Sequence, residues 1–211
     1  LYSLFTYRWG GLDPNTGDPQ GYVNGNISKK YSALIGDSAE VSDLVYHGSV
    51  LPTLYGSFGN SITWKNFTLT ARITYQFGYY FLRESINYND LFYSYKGHSD
   101  FSKRWQKPGD EEFTNVPSMI YSSDYYRDYF YINSEVLATK GDHIRLQYLN
   151  LSVNVLNRRS ASAYIKSLRL YFVANNLGII WKANSECIDP LFTNGQIPAP
   201  RSYSFGINIQ L

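Results

Sequence analysis

The last eleven residues, Arg201 to Leu211, read RSYSFGINIQL, and their alternation leaves the chain few options. Tyr203, Phe205, Ile207, Ile209 and Leu211 fall on one side of an extended backbone, with Ser202, Ser204, Gly206, Asn208 and Gln210 on the other. That period of two makes a strand with one apolar face. A soluble sheet usually blunts its edge with charge, proline or a covering segment, and this run carries none of them. A membrane barrel removes the edge by pairing its last strand with its first, and its apolar face meets lipid instead of a core.

Composition agrees with a barrel. Aromatic residues make up 18% of the chain, with 21 tyrosines, and only 17% of residues are charged. Yet the mean hydropathy is -0.33, that of a chain compatible with water. Strands that alternate lipid-facing and lumen-facing residues give this mixture, and no stretch approaches the roughly 20 apolar residues of a membrane helix. Nineteen basic against 17 acidic residues leave a net charge of +2, too small to argue for a nucleic-acid partner. Acidic residues crowd between Ser85 and His143, whereas Arg145, Arg158, Arg159, Lys166, Arg169 and Lys182 follow with no acid up to Ser185. A lone Cys187 excludes an internal disulfide, and His47, His98 and His143 are scattered without metal-site spacing, so no metal or cofactor is expected.

Six strands are expected, over Leu1–Trp9, Thr53–Trp64, Phe67–Glu84, His143–Leu156, Ser167–Ile180 and Arg201–Leu211. The cleanest lies within the third, where Leu69, Ala71, Ile73, Tyr75 and Phe77 alternate with Thr68, Thr70, Arg72, Thr74 and Gln76. Ten residues at about 3.3 Å rise and about 40° tilt cross about 25 Å, the height of the apolar band of an outer-membrane barrel. Tyr79, Tyr80 and Phe81 then sit where an interfacial aromatic girdle belongs. Lys65-Asn66 reads as a tight reversal in which Asn66 takes the left-handed conformation. In the fourth strand Ile144, Leu146 and Tyr148 are out of phase with Leu149, Leu151, Val153 and Val155, which predicts a bulge near Tyr148 and Leu149.

Between the strands, GLDPNTGDP (Gly11 to Pro19) is a series of tight turns. Asp13, Asn15 and Asp18 could hold calcium, but the remaining ligands of such a loop are missing. Gly21 to Pro52 has no clear period and reads as a long loop. Ser85 to Asp142 is a second long connection with thirteen aromatic residues, in which Ser99 caps an expected helix over Asp100–Gln106. Gly178 to Pro200 is the third. Alternation of long and short connections places the long ones outside and the short ones, Lys65-Asn66 and Leu156 to Lys166, on the periplasmic side with the C-terminus. Leu1 to Trp9 lacks the features of a signal peptide, so the chain is expected to be a fragment of a longer exported protein.

Seven motifs occur in an order that resembles one family: GLDPNTGDP, LPTLYGSFGNSITWKNFTL (Leu51 to Leu69), RWQKPGDEEFTNVPS (Arg104 to Ser118), KGDHIRLQYLNLS (Lys140 to Ser152), NNL (Asn175 to Leu177), Asp189-Pro190 and PAPRSYSFGINIQL (Pro198 to Leu211). The chain resembles the C-terminal part of a SusC/RagA-type TonB-dependent outer-membrane transporter over residues 1–211. Ser204, Gly206, Ile209 and Leu211 resemble the C-terminal signal by which outer-membrane barrels are recognised for assembly, with Leu211 where that signal has Phe. The resemblance implies an all-β fold, a segment of an antiparallel transmembrane barrel of about 22 strands with a plugged lumen. It also implies a SusD-like surface lipoprotein as lid, energy from the TonB complex, contact with outer-membrane lipid, and import of oligosaccharides or peptides.

Within that reading the candidate ligand- or lid-facing residues are Trp105, Asp110, Tyr125, Tyr126 and Trp181. Aromatic faces stack on sugars or side chains while polar groups take hydrogen bonds. An enzyme is not expected: no nucleophile elbow, zincin or paired-carboxylate motif is present. The alternative is a soluble β-sandwich that binds carbohydrate through aromatic platforms.

Overall fold

Alternating sequence becomes strand wherever the period of two is clean, and the computed structural model shows which strands pair. It describes residues 2–36, 39, 41–157, 164–186, 188–193 and 196–211. Leu1, Cys187 and the Arg158-Arg159 stretch of the basic connection lie outside the described residues. In chain order the elements are β1 (Ser3–Tyr7), β2 (Gly21–Val23), β3 (Asn26–Ser28), α1 (Tyr31–Leu34), β4 (Leu44–Ser49), β5 (Leu54–Trp64), β6 (Phe67–Phe77) and β7 (Tyr80–Leu82). They are followed by α2 (Tyr88–Ser94), α3 (Tyr125–Ile132), β8 (Ala138–Lys140), β9 (His143–Asn157), β10 (Ser167–Lys182) and β11 (Ser202–Gln210). No described helix is long and apolar enough to cross a membrane. The chain forms two units, Leu1–Leu51 with Tyr80–Lys140, and Pro52–Tyr79 with Gly141–Leu211.

The second of these is a five-stranded antiparallel sheet in the order β11-β10-β9-β6-β5. Its register sorts side chains by polarity. Phe58, Ile73 and Leu146 lie in one row of the pairing, Ile62, Leu69 and Leu151 in another, and Leu170 pairs with Ile207 and Phe172 with Phe205. The opposite face carries Ser61, Thr70 and Asn150 in one row, with Asn175 against Ser202. Apolar residues are left uncovered: Phe58 is 60% exposed, Ile62 65%, Ile207 64% and Phe205 85%.

The predicted bulge is present, at Gln147. Arg72 faces Tyr148 while Ile73 faces Leu146, so one residue of β9 is left without a partner on β6. On the other side Asn175 faces Tyr148 and Gly178 faces Leu146, and the extra residues of β10 are absorbed by left-handed backbone at Asn176 (φ 53) and Gly178 (φ 118). The slip returns Ile144 and Leu146 to the face that holds Leu149, Leu151 and Val153, and it leaves Tyr148 beside Arg72 on the polar one. In the β5–β6 turn the left-handed residue is Lys65 (φ 53), not Asn66 as expected.

Two other expectations are corrected. The strand predicted over Leu1–Trp9 is β1, and it pairs with β4 in a separate two-stranded ladder from Ser3↔Ser49 to Tyr7↔Leu44, so five strands and not six form the main sheet. Its blurred alternation has a physical source: Leu4 and Thr6 point inward while Phe5 is 51% exposed against the Tyr46 ring. Gly21 to Pro52 is also more than a loop. β2 and β3 make a hairpin through Asn24 (φ 53) and Gly25 (φ 76), the two left-handed residues that a two-residue reversal needs.

The first unit is built on two small apolar clusters. Phe130 is fully buried with Leu34 and Ile35, flanked by Tyr7, Trp9, Val23 and Tyr31, and Ile86, Tyr88 and Val116 form the other. Asn87 and Asp124 cap α2 and α3 by accepting from backbone amides at their N-termini. The helix expected over Asp100–Gln106 is a 3-10 turn, Ser99–Lys103, and its cap is the His98 ring, which accepts from the Asp100 amide at 3.1 Å.

Candidate functional site

The turns of GLDPNTGDP anchor the first unit, Leu1–Leu51 with Tyr80–Lys140, the loop unit of the chain. Asp13 Oδ1 accepts from the Asn15 and Thr16 amides at 2.8 and 3.2 Å, and Lys29 Nζ lies 2.7 Å from Asp13 and 3.5 Å from Asp18. The ammonium therefore occupies the place that the calcium reading gave to a metal, and its hydrogen bond holds the Asp13 carboxyl below its ordinary range. Asp18 also accepts from Arg127 Nε at 3.0 Å. Arg127 is buried, and its Nη2 donates to the Ser118 carbonyl and hydroxyl at 2.8 and 3.0 Å. One side chain thereby ties α3 to the turn at residues 13–18 and to the irregular segment at Ser118.

Of the five aromatic and acidic candidates, two keep open side chains in this unit. Tyr125 and Tyr126 are 57% and 53% exposed, and Tyr125 stacks on Tyr129 at 5.9 Å and meets Tyr126 edge-on at 5.7 Å. These rings share the outer side of α3, whose inner side holds Arg127, Asp128, Phe130 and Tyr131. Trp105 is turned inward instead. Its ring lies over Gly17, where an added Cβ would come within 2.4 Å of it, and its indole NH donates to Glu111 Oε2 at 2.9 Å. Asp110 spends its carboxylate on the Gln106 and Lys107 amides at 3.0 and 3.1 Å. Trp105 and Asp110 thus build one turn, Trp105 through its indole NH and Asp110 through one carboxylate oxygen.

Trp181 is a correction of a different kind, since it lies on β10 and not in a loop. It pairs in register with Ile144 and its ring sits 6.1 Å from Phe77, which in turn stacks on Tyr75 at 5.7 Å. These three form an aromatic row at one end of the apolar face. The girdle expected from Tyr79, Tyr80 and Phe81 is not there. Tyr79 is buried over Gly141 with its hydroxyl 3.3 Å from His143 Nδ1, while Tyr80 and Phe81 belong to β7. Of the terminal residues, Ser204 and Gly206 lie on the polar face and Ile209 on the apolar one, with Leu211 just past the strand. Gly206 makes room for the Tyr171 ring, which a Cβ would meet at 2.1 Å.

Sequence reasoning missed the polar cluster at the His143 end of the sheet. Asp142 Oδ1 accepts from the Gly78 amide at 2.7 Å, and His143 Nδ1 is 2.8 Å from the Gly141 carbonyl. Buried Arg145 pairs with Asp189, donates to Asn176 Oδ1 at 3.1 Å and carries the Phe192 ring 5.8 Å from its guanidinium. The signals were present in KGDHIR and Asp189-Pro190, but only the fold brings them together.

Asp128 gives the loop unit a pH dependence. Its Oδ2 accepts from the Asn89 amide at 2.8 Å in the first turn of α2, and burial raises its carboxyl to about 6. A carboxyl whose folded value lies above its unfolded 3.8 binds its proton more readily when folded, so stability grows as pH falls from about 6 towards 3.8 and is lost as pH rises through about 6. Amides of α2 should therefore exchange more slowly at pH 5 than at pH 7 after correction for intrinsic rates. Asp128→Asn should flatten the difference, and an unchanged profile would assign it to another group.

No family model and no curated protein matches the chain. Solved structures do. A structure of the RagAB peptide transporter aligns with a TM-score of 0.67 at 21% identity, covering 98% of this chain and 22% of that one. The RagAB peptide importer in its closed-closed state gives a TM-score of 0.68 at 19% identity, covering 98% and 23%. In its open-open state the values are 0.66, 21%, 99% and 22%. The fold is that of the RagAB chains. This chain spans about a fifth of the length of those it matches.

Proposed function

We propose that the chain is a sector of an outer-membrane barrel that imports oligomeric nutrients and carries out no catalysis. The observation that supports this best is the two-faced sheet. One face is apolar on all five strands apart from Asn60 and is largely uncovered, the other is lined mainly by hydroxyls, amides and a few cations, and a lipid-to-lumen wall requires that division. A soluble sandwich has to cover such a face with a second sheet. The likeness to RagAB chains favours peptides as cargo over glycans, while a SusD-like lipoprotein lid and energisation through TonB are what the family resemblance implies.

In this reading the row Tyr75, Phe77 and Trp181 marks one lipid–water interface and Trp64 with Phe67 the other. The wall belongs to a plugged barrel of about 22 strands, as the family resemblance implies. The C-terminus is periplasmic, the loop unit extracellular, and Tyr125 and Tyr126 face cargo or lid.

The test uses the complete gene product in its own membrane. Deleting the gene should abolish uptake of the peptides it carries. Tyr125→Ala and Tyr126→Ala should each weaken half-saturation about 2- to 12-fold, the range of one aromatic contact. Uptake unchanged by the deletion would overturn the importer reading, and full uptake by the double variant would remove the tyrosines from the site.

A further inference from the structure

Charge on the main sheet is of one sign. None of β5, β6, β9, β10 and β11 contains an aspartate or glutamate, whereas Arg72, Arg145, Arg169 and Lys182 all lie on these strands. Register puts every one of them on the polar face: Arg72 opposite Tyr148, Arg145 opposite Thr74, Lys182 opposite His143 and Arg169 opposite Asn208. Three are engaged. Arg145 is paired with Asp189, Lys182 donates to the Ile188 carbonyl at 3.0 Å, and Arg169 donates to Asn154 Oδ1 at 2.8 Å. Arg72 is exposed near the middle of β6, and among the described residues no carboxylate pairs with it. Its partner across the β5 ladder is Gly59, where an added Cβ would stand 3.8 Å from Arg72 Nε, so the guanidinium is open on that side, with Tyr148 across the β9 ladder on the other.

Resting on the importer reading, we infer that this wall selects net-acidic peptides, with Arg72 as the contact for a passing carboxylate. Charge complementarity commits the face to an anionic occupant. A lumen wall that carries cations and no acids concentrates anions and repels cations, as charged rings do in pores. Arg72 lies four residues along β6 from the row of Lys182 and His143, and Arg169 lies six along β10 from the row of Arg72. At about 3.3 Å per residue these steps are about 13 and about 20 Å. Both exceed the screening length of about 8 Å at physiological salt, so Lys182, Arg72 and Arg169 meet a moving carboxylate in succession and not as one deep trap, while Arg145, whose row is two residues from Arg72 along β6, is spent on Asp189. Arginine also suits the task by its forked donors, which take a carboxylate two bonds at a time.

The experiment compares uptake by the complete transporter of two labelled hexapeptides, one alternating Ala and Glu and its Ala and Gln counterpart. Wild type should favour the acidic peptide. Arg72→Gln should lower the acidic-to-neutral ratio about 2- to 5-fold, the size of one exposed charge contact, with surface level and neutral uptake unchanged. Arg72→Glu should lower it further, Arg72→Lys should keep only part of it because the charge stays and the fork is lost, and if the Glu variant does not assemble the Gln variant decides. A ratio that does not move while neutral uptake persists overturns the inference, and it is also the result expected if a carboxylate elsewhere in the protein neutralises Arg72. Loss of wild-type uptake of both peptides would instead overturn the importer reading on which the inference rests.

Discussion

On the proposed barrel wall, Ile73→Arg should destabilise the folded protein by about 2 to 4 kcal/mol, the cost of an arginine facing lipid near the bilayer midplane. Ile73 is near the middle of β6, between Phe58 on β5 and Leu146 on β9, on the apolar face. The matched change on the other face is Thr70→Arg. Thr70 lies between Ser61, to which it is hydrogen-bonded at 2.7 Å, and Asn150, so the new charge replaces one exposed hydrogen bond and points away from lipid. That change should cost about 1 kcal/mol or less. Thr74 is a poorer control because register sets it opposite Arg145, and two like charges across a ladder add a penalty of their own. Urea titration of the complete protein folded into lipid vesicles measures the difference. Equal stability of the two variants would show that neither face meets lipid.

The sheet was largely legible in the sequence because burial on a two-faced wall is written with period two. Leu69, Ala71, Ile73, Tyr75 and Phe77 are on one face of β6, as their alternation predicts, and the phase change in β9 became a bulge at Gln147. The failures share a physical cause. β1 has too few residues for its alternation to decide whether it joins the wall or a local ladder, and its partner β4 lay inside a stretch without a period. The β2–β3 hairpin carries its signal in Asn24-Gly25, but its three-residue strands give the alternation no length.

Ligand candidates fared by the same logic. An aromatic residue in a loop has two uses, and composition does not separate them. Trp105 folds onto Gly17, whose backbone at φ 66 leaves no side chain in the way, and Tyr125 lies on the outward side of α3. Only the neighbouring glycine, eighty-odd residues distant in sequence, decides which of the two a tryptophan does. The Arg145–Asp189 pair is of this kind as well, since forty-four residues separate its members and each alone reads as a solvated charge.

Arg127→Met should open the loop unit by about 3 to 5 kcal/mol, the range for removing one member of a buried ion pair. The side chain is 2% exposed, and three donors leave Nε and Nη2 for Asp18 Oδ1, the Ser118 carbonyl and the Ser118 hydroxyl. Its Nη1 has no hydrogen-bond partner among the described residues and lies 3.8 Å from Asp128 Oδ1. Methionine fills much of the same volume, so the loss measured is that of charge and hydrogen bonds more than of packing. Asp18 keeps Lys29 at 3.5 Å and is 23% exposed, which places the expected value toward the lower end. A second substitution makes the argument specific. Asp18→Asn alone should cost less, because Arg127 retains the Ser118 carbonyl, and the double variant should be more stable than the sum of the singles predicts, since each single change leaves the other member's charge without its partner and the double change leaves neither. Amide exchange of α3 in the complete protein reads each opening energy. A single-variant cost under about 1 kcal/mol, or strict additivity of the two changes, would show that Arg127 fills space in the unit without binding its turn to α3.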